Sequence, residues 1–152
     1  MGPVSNQTSP TGRSAPAGPS YAGQRLGLPP DGQGSVAGWG RRIAALFIDW
    51  IASMLVAALF TGGAALTSHG WQAWTPMLVF LVEATVLTTL LGGSFGQVLT
   101  RVAVLRVDRR PLSLLAALVR TALICLVVPP LFSNLDRRGL HDLVAGTVTV
   151  RR

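Results

Sequence analysis

The chain has no lysine, one cysteine and one tyrosine in 152 residues. All thirteen basic residues are arginines, set against six acidic ones, giving a net charge of +7. A single cysteine, Cys125, excludes an internal disulfide and with it a disulfide-stapled secreted scaffold. It lies in an apolar run, where a thiol serves packing rather than chemistry. Two histidines and one cysteine, without ligand spacing, offer no metal centre. Charged residues are also scarce, at 12%, about half the 25% of a typical soluble domain. With 49% hydrophobic residues and a mean hydropathy of +0.48, an ordinary soluble enzyme is excluded. No aromatic residues are interleaved with a basic stripe, so the high charge does not indicate nucleic acid. Arginines flanking apolar spans are instead what sets membrane orientation.

Residues 1–38 are rich in Gly, Pro, Ser and Gln and contain no apolar run. Such a segment buries too little surface to offset its ordering entropy, so a disordered tail is expected there. It lacks the charged and apolar regions of a signal peptide. Within it, Arg25-Leu26-Gly27-Leu28-Pro29-Pro30 reads as linker rather than docking motif.

Residues 39–152 read as one helical membrane domain with a short β element. The first apolar segment, about 43–66, reaches about 36 Å as a helix, enough for a bilayer core of about 30 Å. The second, about 74–91, is at the lower limit of spanning length; Pro76 suits its first turn and Gly92-Gly93 its exit. The third, about 112–131, starts well at Pro111 and Ser113 but contains Arg120 and ends in Pro129-Pro130. It is either a full span or a re-entrant helix. Residues 98–107 and 143–150, rich in β-branched side chains, read as strands. If paired, they lie on one side of the membrane, because open strand edges are not tolerated in lipid.

Arg41 and Arg42 precede the first span, the connection 67–73 has no arginine, and Arg101, Arg106, Arg109 and Arg110 follow the second. The positive-inside rule therefore puts the amino terminus and the segment 92–110 at the cytoplasmic face of the membrane. Three full spans would place Arg137, Arg138, Arg151 and Arg152 outside, against both the charge rule and the strand pairing. Two spans with a bent or re-entrant third segment resolve that conflict.

Three ionisable groups interrupt the apolar segments: Asp49, Glu83 and Arg120. At 1.5 Å per residue they lie about 9, 12 and 12 Å from the cytoplasmic end. An isolated charge at the centre of a bilayer costs at least about 2.5–3.5 kcal/mol, so charges at matching depth are expected to pair. The layer reads either as a proton or cation site or as a buried clamp between helices.

The segment Gly40-Arg41-Arg42-Ile-Ala-Ala-Leu-Phe-Ile-Asp49 resembles the opening of the RDD-domain family of small bacterial membrane proteins. Gly93-Ser94-Phe95-Gly96, the run Arg101 to Val107, Val119-Arg120 and the close from Arg138 through His141-Asp142 to Val150 follow in that family's order. The resemblance makes Arg42, Asp49 and Asp142 the naming residues, with Arg41 a substitute for Arg42. Gln97 stands where the family often has a basic residue, and the third segment is short. The resemblance implies a multi-pass protein, suspected of transport, with sodium–proton exchange associated with some members.

Asp142 is expected to cap a cytoplasmic turn or to pair with Arg42 or Arg138. Gly92-Gly93-Ser94-Phe95-Gly96 matches G-x-S-x-G, but a nucleophile elbow needs a strand before it. His141 and Asp142 are also adjacent rather than separate partners. No catalytic residue, enzyme activity, cofactor or nucleic-acid partner is expected. The expected partners are the lipid bilayer and either further copies of the chain or another membrane protein. Two functions remain open: ion transport, and an accessory subunit of a larger membrane complex.

Overall fold

The computed structural model of the chain describes residues 19–126 and 138–152. Helix α1, Trp39–Thr61, starts after the extended Gly38 and stops where Gly62 turns left-handed at φ 60°. It begins four residues before the apolar run, because Arg41 and Arg42 join the first helical turn instead of preceding it. A short helix α2, Ala64–Thr67, and a 3₁₀ turn, Trp71–Trp74, lead into α3, Thr75–Leu91. Pro76 occupies the first turn of α3 and Gly92 closes it in the left-handed conformation, as expected.

Helix α4, Phe95–Leu99, precedes strand β1, Val102–Arg106. The strand expected over 98–107 is therefore shorter. Ser94 and Gln97 form a reciprocal capping box that nucleates a helical turn ahead of it. Helix α5, Leu114–Cys125, is capped by Ser113, whose Oγ accepts the Ala116 N–H. Helix α6, Leu140–Val144, and strand β2, Thr147–Arg151, close the chain. The strand expected over 143–150 thus starts only after α6 and Gly146. The expected Pro129-Pro130 break and the last part of the third segment lie outside the described residues, as does the tail before residue 19.

Two helical stretches, Trp39–Thr61 and Trp71–Leu91, are long and apolar enough to cross a membrane. α1 turns Ala45, Asp49, Ser53 and Ala57, each four residues apart, towards its neighbours. Small side chains at this spacing let backbones approach closely. Its other faces stay bare: Leu59 and Phe60 are 80% and 81% exposed, an arrangement suited to lipid rather than water. α3 packs between α1 and α5.

The sheet is antiparallel, pairing Val102 with Arg151 through to Arg106 with Thr147. The Val104 N–H reaches the Gly92 carbonyl, and the Ala37 N–H reaches Thr149. The sheet therefore sits at the end where α1 begins and α3 finishes. The segment before α1 is ordered from residue 19 onward rather than a free tail. Gly34, Ser35 and Ala37 hydrogen-bond to Thr149 and Arg151 along the outer edge of β2. Val36 packs with Ala103, Val148 and Val150, and Ala22, Leu26 and Leu28 cover them. The physical reason is a shared apolar surface: the sparse aliphatic residues of 20–38 are enough to cover one face of a two-stranded sheet.

Candidate functional site

Asp49 faces inward from the third turn of α1 and is 3% exposed. Its Oδ2 accepts the Ser94 hydroxyl at 2.5 Å and its Oδ1 accepts the Gly96 N–H at 2.5 Å. Glu83, on α3, accepts the Phe95 N–H through Oε1 at 2.8 Å. Two carboxylates from two long helices thus converge on the first turn of α4. Ser94 and Gln97 satisfy the remaining amides there. Helix starts leave N–H groups unpaired, and buried ones need acceptors. Glycine is required at position 96, because a Cβ there would sit 2.1 Å from the Ala45 carbonyl oxygen.

Asp142 is fully buried and holds a second centre. Arg120 Nε donates to its Oδ1 at 3.0 Å, and Arg42 Nη1 reaches its Oδ2 at 3.4 Å. The Thr147 and Thr149 hydroxyls donate at 3.0 and 2.9 Å. His141 Nε2 lies 3.7 Å away. Burial works against ionising Asp142. The guanidinium of Arg120, the His141 ring and Arg42 outweigh it and hold the carboxyl well below the usual carboxylate range. Arg42 also donates to the Ala37 and Thr149 carbonyls, so one side chain joins α1, α6 and β2.

The three charges expected in one apolar layer are thus divided between two centres. Asp49 and Glu83 share α4, whereas Arg120 turns to Asp142. Equal depth along parallel helices does not set the direction a side chain faces, and Asp142 offers Arg120 a nearer partner. Of the naming residues, Arg42 and Asp142 meet directly, while Asp49 stands in the neighbouring centre. Arg138 touches Asp142 only at its backbone carbonyl, 3.3 Å away, and also donates to the Thr147 carbonyl. Arg41 points away to the Thr100 carbonyl. Sequence reading missed Ser94 and Gly96 as partners of Asp49. The S-x-x-Q spacing of Ser94 and Gln97 was the available signal for a helix start.

Between α1, α3 and α5 lies a cavity of about 200 Å³, where Arg42, Asp49, Arg120 and His141 share the lining with Phe80 and Ile124. Both centres border it. Among the described residues, neither Asp49 nor Glu83 has an ion-pair partner, and Glu83 Oε2 is buried without a hydrogen bond. No group of three His, Cys, Asp or Glu side chains suited to a metal ion occurs among them.

Two apolar helices, a short helix set between them, and an arginine–aspartate centre tying their base to a small sheet define a compact membrane-associated domain. The RDD family model matches residues 36–146, and the chain belongs to the RDD family. No curated protein and no solved structure matches it.

Proposed function

We propose that the chain is a multi-pass protein of the bacterial plasma membrane that carries a transport-linked proton or cation site. Its amino terminus and sheet face the cytoplasm, and α5 enters the membrane without crossing it. The observation that carries the reading is the pair Asp49 and Glu83. Two carboxylates on neighbouring spanning helices, Asp49 buried and Glu83 half-buried, have no ion-pair partner within contact distance among the described residues. Hydrogen bonds alone leave two negative charges close together in an apolar setting, which is costly, and a proton or a bound cation removes that cost. The adjoining cavity supplies a route to Asp49. Two spans give few lining faces, so a complete pathway forms between copies of the chain.

A second reading, a non-catalytic accessory subunit, is favoured by the hydrogen bonds of Asp49. Both its oxygens fix α4, a structural duty that needs no transport. No enzymatic role is proposed, since Ser94 hydrogen-bonds to a carboxylate rather than to a histidine base.

Purified protein in liposomes, under imposed proton and sodium gradients, tests the choice. Transport gives a flux that Glu83→Gln abolishes with fold and oligomer unchanged, because the amide oxygen still accepts the Phe95 N–H. Absence of flux from folded wild type sinks transport and favours the accessory role.

A further inference from the structure

Helix α5 has a property that neither charged centre uses. Its inward side buries Ala117, Arg120 and Thr121. Its outward side presents Leu114, Leu115 and Leu118, of which Leu115 is 69% exposed. With 12 residues it measures about 18 Å, too short for a hydrocarbon core of about 30 Å. Directly ahead of it stand Arg109 and Arg110, both exposed. Asp108, the acid beside them, is already bound by Arg106 through two hydrogen bonds of 2.9 and 2.8 Å. Among the described residues neither Arg109 nor Arg110 has an ion-pair partner.

We propose that residues 109–118 form a docking face for anionic phospholipid, with Leu114, Leu115 and Leu118 among the acyl chains and Arg109 and Arg110 on the headgroup phosphates. Charge complementarity and the apolar side together select this occupant. A nucleic acid would use the arginines but leave three leucines in water, and a neutral lipid would use the leucines but not the arginines. An amphipathic element of this kind binds through buried apolar area plus attraction to anionic headgroups. The far end of the molecule offers no equivalent, since residues 62–74 contain no arginine, lysine, aspartate or glutamate.

The test uses the full chain in phosphatidylcholine nanodiscs containing a trace of spin-labelled phosphatidylglycerol or spin-labelled phosphatidylcholine. The motionally restricted fraction measures selectivity. The docking face predicts a preference for phosphatidylglycerol that weakens at high salt. Juxtamembrane arginines contribute about fivefold each at low ionic strength, so Arg109→Gln with Arg110→Gln is expected to reduce the preference at least about fivefold. Arg25→Gln, in the segment before α1 and away from α5 in sequence, leaves it unchanged. A nitroxide at Leu115→Cys in a Cys125→Ala background is expected to be oxygen-accessible and shielded from water. Equal restriction of both lipids, a preference untouched by the double variant, or a water-exposed nitroxide would each overturn the proposal. So would displacement of the labelled lipid by a single-stranded RNA oligomer at matched ionic strength, which would reassign the face to nucleic acid.

Discussion

At the residue scale, Asp142 is the position on which the most depends. It collects two guanidiniums and two hydroxyls with no contact with solvent. Removing one member of a buried pair leaves an uncompensated charge and costs about 3–5 kcal/mol. Asp142→Asn is therefore expected to cost about that much in an unfolding titration. Arg120→Gln should cost more than Arg42→Gln, because Arg42 is 13% exposed at its side chain and Arg120 only 3%. The sign of the pH dependence follows from the same geometry. A carboxyl held below its unfolded value stabilises the fold above about pH 4. That contribution is lost as pH falls through the depressed value. The contribution of Asp142 should thus be constant from neutrality to about pH 5 and be lost below about pH 4, so that wild type falls more steeply there than Asp142→Asn. A variant that loses stability in parallel with wild type would contradict the assignment. Arg42 was one of two arginines expected as a partner of Asp142, beside a capping role, and the sequence did not choose among them. The partner of Arg120 was not legible. Helical rise gives depth along an axis, while the direction of a side chain depends on how helices rotate against each other.

At the scale of elements, the clearest lesson is the segment before α1. Its composition reads as disorder, because composition counts a segment's own apolar surface and not the surface it finds elsewhere. Val36 meets Val150, more than a hundred positions away, and no local pattern announces that contact. Residues 19–38 are consequently held by a small core, and Val36→Asp should release them. A buried carboxylate without a partner costs several kcal/mol, more than this cluster supplies. Limited trypsin digestion should cut at Arg25 faster in the variant than in wild type, while α1 and α3 remain protected by detergent. Equal rates would mean that the cover does not depend on Val36. The two long helices, by contrast, were readable to within a few residues, because apolar length and the glycines at their ends are local signals. Only Val98 and Leu99 of α4 were read as strand, and the glycines before them as the exit of α3, because the β-branched run is a local signal. The stability of α4 comes from Asp49 and Glu83, supplied by other helices. Gly96→Ala is expected to dislodge it, because the clash is with backbone, and overpacking of this sort costs about 1–3 kcal/mol. A thermal shift of the purified protein measures that loss.

At the scale of the whole molecule, the decisive feature is that one end of the helix pair carries nearly all the charge. Arg41 and Arg42 start α1, Arg101 and Arg106 flank β1, and Arg151 ends β2, all on elements joined by the sheet. The opposite end bears Trp71 and Trp74, largely exposed, and no charge beyond His69. An odd number of crossings would carry β2 to the far side of the bilayer from β1. Their hydrogen-bonded register does not allow that. Both termini are then expected on the cytoplasmic face, with the connection around His69 outside. Green fluorescent protein fused at the carboxyl end should fluoresce, and alkaline phosphatase fused there should be inactive. Phosphatase inserted after His69 should be active. An active carboxyl-terminal phosphatase would require β1 and β2 to separate across the membrane. It would break the sheet, strip Asp142 of Thr147 and Thr149, and leave Arg120 charged and alone among apolar helices. The energetic cost of that state couples the side on which β2 lies to the centre built around Asp142.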